Sequence, residues 1–182
     1  SSDALKGFKE VVGRKVFKKW FPALSVEDDE RVRAAYRGGF TYADTRTAGV
    51  VQGAGMVLDV NSLYPFIMYS RPLPYGRPID VDIPPEEISE DYLWVATFCF
   101  TAKLKARGIP CIQLRGSHRA NPTEYQRVVD EPTEMRMTNV DWKLINDMYD
   151  VDLYGYSDVT LFHCHTGTFK DYIDKWMGVK ES

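Results

Sequence analysis

The chain has 182 residues, 44% of them hydrophobic, enough to bury one sizeable core and a smaller satellite. Its net charge of −3 excludes a protein that coats nucleic acid by bulk electrostatics and shifts attention to local charge. No run approaches the roughly twenty apolar residues that span a bilayer and no signal peptide opens the chain; Cys99, Cys111 and Cys164 form neither an even framework nor a CxxC pair, so a soluble protein in a reducing compartment is expected.

In chain order, Leu5, Phe8, Val12, Val16 and Trp20 recur at helical spacing and predict one amphipathic helix from near Asp3 to Phe21, weakened by Gly7 and Gly13 and ended by Pro22. Its Lys6, Lys9, Arg14, Lys15, Lys18 and Lys19 outnumber Asp3 and Glu10, either as a stripe that follows a phosphate backbone or as an ordinary solvated face. Ser25-Val26-Glu27-Asp28 has capping-box spacing and opens a second helix toward Tyr36. After the turn Tyr36-Arg37-Gly38-Gly39-Phe40 and a loose Thr/Ala/Gly segment, Gly55-Met56-Val57-Leu58 reads as a strand that leads into a helix through Met68. Pro72, Pro74, Gly76 and Pro78 predict a hinge.

Residues 80–91 hold six acids and no base, a stretch that repels DNA and faces solvent or a basic protein. Tyr92 to Thr101 and Ile109 to Arg115 alternate around Arg107-Gly108 and predict a hairpin. A helix is predicted from Thr138, with Asp141 as box partner and Val140, Leu144, Ile145 and Met148 on one face. Strand structure is expected from Val151 to His165, then a last helix from Thr166 or Thr168 with Phe169, Ile173, Trp176 and Met177 on its apolar side. Strand alternation sends His163 and His165 to one face and Cys164 to the other, which reads as structure and not as a metal motif.

The string Asp59-Val60-Asn61-Ser62-Leu63-Tyr64-Pro65 is the strongest functional signal. An acid at the end of an apolar strand, beside an exposed carbonyl at Val60, offers two hard oxygen ligands to Mg²⁺. Asn61 or Ser62 can cap the following helix, whose first N–H groups then face phosphate oxygens, and Pro65 suits that first turn. Tyr64, held rigid by its neighbours, can lie under a sugar ring and exclude a 2′-hydroxyl. Upstream, the two glycines of YRGGF allow close backbone approach to a ligand. Taken alone, Asp59 also reads as a turn-capping acid beside an aromatic core residue.

YRGGF followed about twenty residues later by an apolar run and DVNSLYP resembles the protein-primed family B DNA polymerases of small phages that start replication from a terminal protein. The likeness extends to DALKGFKEVVGRKVFKKWFPALS, MYSRPLPYGRPI, TNVDWKLINDMYD and TGTFKDYIDKW, in the family's order. It implies that Tyr36, Arg37, Gly38 and Gly39 form the YxGG motif that holds template DNA, and that DVNSLYP is polymerase motif A. Asp59 would then be the catalytic acid and, with Val60, a ligand of Mg²⁺, two ions in the complete enzyme with Mn²⁺ as an alternative; Ser62, Leu63 and Tyr64 would meet the incoming nucleotide. The family's DTD, fingers-helix, KxY and exonuclease motifs are not in this string, which starts with Ser1-Ser2. It therefore reads as a middle piece of a polymerase, inactive by itself. The pairs Asp80/Asp82 and Asp150/Asp152 do not have the setting of the missing carboxylates and read as solvated edge or turn acids.

The expected fold class is α+β, a partial polymerase palm joined to a mixed α/β priming insertion. Residues 1–46 are expected as leading helices and YxGG linker, 47–71 as the palm segment with motif A, 72–166 as the terminal-protein priming insertion, and 167–182 as a helix returning toward palm and fingers. Arg115, Arg119, Glu124, Tyr125 and Asp141 are the candidate terminal-protein contacts, although Pro122 and Pro132 depart from the family pattern there. Primer-template DNA, nucleotide and terminal protein are the implied partners, in the host cell cytoplasm. The alternative is an autonomous docking module for terminal protein or DNA.

Overall fold

The computed structural model describes residues 2–51, 53–114 and 125–181. The helices are α1 (Ser2–Val12), α2 (Arg14–Trp20), α3 (Val26–Ala34), α4 (Leu63–Ser70), α5 (Asn139–Met148) and α6 (Lys170–Glu181). The strands are β1 (Pro72–Val81), β2 (Tyr92–Leu104), β3 (Val128–Thr138) and β4 (Tyr149–Thr166), all in one antiparallel sheet of order β1-β4-β2-β3. The mixed α and β content agrees with the expected class. Among the described residues no helix is long and apolar enough to cross a membrane.

Period-two alternation separates the two faces of the sheet. Trp94, Ala96, Phe98, Phe100 and Ala102 of β2 join Met135 and Met137 of β3 and Val159 and Leu161 of β4 in the main core. Helix α5 covers that face, with the Trp142 ring stacked on Phe98 at 4.0 Å and 8°. Of the predicted face, Ile145 is buried and Met148 packs on the same cluster, while Val140 and Leu144 are exposed and Trp142 takes their place on the inward side. Its start is as expected: Thr138 and Asp141 form a reciprocal capping box. On the opposite face, Val32 and Ala35 at the end of α3 pack on Val95 and Phe162.

Tyr149, 1% exposed, closes the core from below. Its hydroxyl accepts from the Cys111 and Ile112 N–H groups at 2.9 and 3.3 Å and donates to the Gln126 carbonyl at 2.7 Å. One side chain thus satisfies three backbone groups, which explains why burying this phenol is tolerated. Desolvation pushes its pKa up.

Several expectations fail for identifiable reasons. The first helix breaks at Gly13, whose φ of 83° is left-handed and ends a helix at low steric cost. The aromatic residues still meet: Phe8 packs on Phe17, Phe21, Phe169 and Tyr172, joining α1 and α2 to α6. The proline-rich hinge is instead β1, an edge strand whose register slips between Tyr75 and Ile79 around Gly76 at φ 82°. Prolines are compatible with an edge because they need not donate to a ladder. The same holds for β3, which contains Pro132 and was not expected.

The predicted hairpin does not form. β2 pairs with β3 and β4, while Ile112 makes one isolated bridge to Gln126. The Arg107-Gly108 turn does form, and Gly108 is needed there, because a Cβ would lie 2.4 Å from the Met148 carbonyl. The strand expected from Val151 to His165 is β4, and α6 starts at Lys170, slightly later than expected. In β4 His163 stacks between Tyr75 and Tyr92 while His165 meets Trp20. Among the described residues no cluster of three or more His, Cys, Asp or Glu could hold a metal.

Candidate functional site

The segment that carries Asp59 is not a strand. Residues 53–60 run without regular structure, and Val57 and Leu58 are 97% and 81% exposed. Apolar sequence makes a strand only where a neighbour accepts its backbone hydrogen bonds, and the described strands pair only with one another. Asp59 therefore lies in an exposed run without regular structure, with the Val60 carbonyl next to it. Both are hard oxygen donors, which fits Mg²⁺, but they supply only part of a coordination shell.

Helix α4 follows immediately. Ser62 occupies its N-cap position at φ 54°, left-handed for a non-glycine residue, a backbone state that costs about 1–2 kcal/mol. The Ser62 carbonyl accepts from the Phe66 N–H at 2.9 Å, but its side chain makes no cap hydrogen bond. The expected side-chain cap by Ser62 is thus corrected: the turn orients the helix without using the hydroxyl, so the first-turn N–H groups are not claimed by it. Pro65 lies in that first turn, as anticipated. Leu63 is half-exposed and Tyr64 is 81% exposed, not clamped by its neighbours as the sequence suggested.

The YRGGF turn lies at the far end of α3. Tyr36 is 72% exposed. Arg37 is tied down: its Nη2 donates to the Arg136 carbonyl at 2.8 Å, and its Nη1 to the Ala34 carbonyl at 3.0 Å. Gly38 and Gly39 are exposed, and a Cβ at Gly39 would meet nothing within 4 Å, so internal packing does not require a glycine there. Just beyond, Phe40 and Tyr42 pack around Tyr125 with ring centroids at 5.0 and 6.4 Å. The Thr41 N–H donates to the Tyr125 hydroxyl at 3.3 Å and Arg127 donates to the Tyr42 hydroxyl at 3.2 Å.

Of the residues assigned to the terminal-protein surface, Tyr125 is thus held by the YRGGF arm, and Asp141 is occupied as the cap of α5. Arg115, Arg119 and Glu124 lie outside the described residues. The acids of 80–91 are exposed as expected, with one correction. Asp80 is no idle edge acid; both its oxygens accept from Arg31 Nη2 at 2.8 Å, and Oδ1 also accepts from Thr160 at 3.0 Å. The Arg31 guanidinium holds the Asp80 carboxyl below its ordinary pKa.

Sequence reasoning overlooked Arg136. The signal was present in Met135-Arg136-Met137, since period two places the arginine opposite two core methionines.

The profile described as DNA polymerase type B, organellar and viral, matches residues 1–182. The DNA polymerase of Bacillus phage Nf is 44% identical over 180 residues, covering 98% of this chain and 32% of its own length. That of Bacillus phage phi29 is 44% identical over 181 residues, covering 98% and 31%. A solved structure of the phi29 DNA polymerase complexed with primer-template DNA and incoming nucleotide superposes with a TM-score of 0.90 at 43% identity, over 98% of this chain and 32% of that one. The chain spans about a third of the length of the curated relatives it matches.

Proposed function

The chain belongs to the type B DNA polymerases of organelles and viruses, in the protein-primed branch of the phi29-like phages, and on that membership we propose that it is the template-linker and motif A portion of a DNA-directed DNA polymerase that initiates on a terminal protein. The observation that carries the reading is the pair YRGGF and DVNSLYP, both intact and exposed, in a chain that aligns over 98% of its length with such enzymes.

In this reading Asp59 and the Val60 carbonyl hold Mg²⁺, with Mn²⁺ as the alternative. Bound there, the metal would supply positive charge against the triphosphate and the charge that develops in nucleotidyl transfer. Asp59 would contribute one carboxylate to that site. Ser62 and Leu63 shape the nucleotide pocket, and the first-turn N–H groups of α4, not claimed by a Ser62 cap, can donate to phosphate oxygens. Tyr64, unencumbered at 81% exposure, is free to stack under the sugar. Tyr36 to Gly39 meet the template backbone. Residues 72–166 form the terminal-protein dock, and the enzyme acts in the host cell cytoplasm.

The test is primer extension by the polymerase that contains this chain. Asp59→Ala should drop incorporation below about a hundredth of wild type, the scale of removing one electrostatic stabiliser, with primer-template affinity within about twofold. Retained incorporation would overturn the assignment. A second reading has its own support: the sheet with α5 has a complete core, so the isolated chain is suited to act as a dock without catalysis. Fluorescence anisotropy of the 182 residues against labelled terminal protein checks it; salt-resistant binding is expected, and no binding at low salt would reject an autonomous dock.

A further inference from the structure

We propose that Arg136 is a positioning residue for the template arm: from the edge strand β3 it caps the C-terminus of α3 and thereby sets where Tyr36 to Gly39 stand against the sheet. This rests on the reading that those residues hold template backbone.

The Arg136 guanidinium reaches three elements at once. Its Nε donates to the Arg31 carbonyl at 2.8 Å, its Nη1 to the Asp158 carbonyl at 2.9 Å and to Thr97 Oγ1 at 3.3 Å, and its Nη2 to Thr160 Oγ1 at 3.2 Å. Arg31 is one of the last four residues of α3; the Ala35 and Tyr36 N–H groups turn to the Val32 and Arg33 carbonyls, and this end of the helix carries the negative end of its dipole, so a cation is favoured there. Asp158 offers its carbonyl because β4 bulges at this point: φ is 53° and the register slips between Val95 and Thr97. A bulge that re-aims a backbone group is a specific device and not a packing accident.

The main chain of the same residue completes the grip, since the Arg136 carbonyl accepts from Arg37 Nη2 at 2.8 Å. Arg136 therefore holds the arm on both sides of Tyr36, through Arg31 and through Arg37. Two guanidinium groups close together need an anion, and Asp80 supplies it through Arg31 and Thr160. Underneath, Val32 and Ala35 keep α3 on Val95 and Phe162. Loss of the Arg136 side chain should thus loosen the arm at its α3 end, the main-chain bond to Arg37 remaining, without undocking the helix. Lysine cannot substitute, because one ammonium does not present donors in the planar fork that meets all four acceptors.

The experiment uses the polymerase containing this chain and compares Arg136→Leu, Arg136→Lys and Tyr36→Ala. Primer-template affinity, the KM for nucleotide, the thermal midpoint and hydrogen exchange of amides 34–40 are read for each. Arg136→Leu should weaken template affinity about tenfold, on the scale of lost charge-assisted bonds, with faster exchange at 34–40 and an unchanged nucleotide KM; Arg136→Lys should recover less than half of the loss. Unchanged affinity and exchange in Arg136→Leu would overturn the proposal, as would full rescue by lysine, which would mean that charge alone acts. If Tyr36→Ala weakens template binding and Arg136→Leu does not, positioning fails while the template reading stands. If exchange accelerates in Arg136→Leu but neither variant affects template binding, the template reading is what fails. Should Arg136→Leu not fold, Asp80→Asn serves: faster exchange at 34–40 supports the network and unchanged exchange rejects it.

Discussion

The sheet with α5 and the run from Val50 to Tyr64 are built from equally apolar sequence but meet opposite fates. In the first, Ala96, Phe100 and Met137 are fully buried; in the second, Val51 and Val57 are 97% exposed. Apolar residues fold where neighbours receive them, and the sheet contains its own: four strands that pair with each other and a helix whose tryptophan covers the centre. The run that carries Asp59 and Tyr64 has no such neighbour among the described strands. Chemistry and self-sufficiency are thus segregated, in keeping with active-site residues being carried on segments positioned by a separate scaffold.

The strongest way to break that comparison is to cut a side chain from each region. Phe98→Ala should cost the isolated chain about 3–5 kcal/mol in urea unfolding, the range for emptying an aromatic core position, whereas Val57→Ala should change stability by less than about 0.5 kcal/mol. Comparable losses would mean that the exposed run is packed in solution and the contrast is wrong.

Tyr149→Phe sharpens it further. It removes the oxygen that accepts from the Cys111 and Ile112 N–H groups and donates to the Gln126 carbonyl, for an expected loss of about 2–3 kcal/mol. A neutral result would place the core's strength in apolar burial alone.

The smallest effect concerns pH. The Asp80 carboxyl is held below its ordinary value, first by the hydrogen bond from Arg31. Its contribution is therefore present above the ordinary carboxylate pKa of about 3.9 and is lost as pH falls through the lower folded value. Asp80→Asn should flatten that acid limb of the stability profile and leave the neutral region nearly unchanged, since the Asp80 carboxylate is largely exposed and such a pair is worth little in solvent. An identical acid limb in the variant would show that Asp80 is not linked to folding.

Local signals were legible where the physics is local. The capping box of Thr138 and Asp141, the Ser25 cap, the Gly108 turn, the long strand from Val151 and the α4 start ahead of Pro65 all follow from a few neighbouring residues. The β1 and β3 strands were hidden by their prolines, since a proline is compatible with a strand only at an edge, and which strand lies at an edge is a property of the whole sheet. The break at Gly13 was visible as a weakness, but whether the helix breaks there depends on Phe8 meeting both Phe17 of α2 and Tyr172 of α6.

By itself the sequence determined the family, the two motifs and the chemical character of Asp59, Val60 and Tyr64, because those depend on residue type and short spacing. Only the tertiary structure decided that the Asp59 run stands outside the sheet, that Tyr125 and Asp141 are already engaged, and that Arg31, Asp80, Arg136 and Thr160 meet. Arg31 and Arg136, which bond directly, are 105 positions apart in the chain; partners that distant are chosen by strand order and register, which no local pattern encodes.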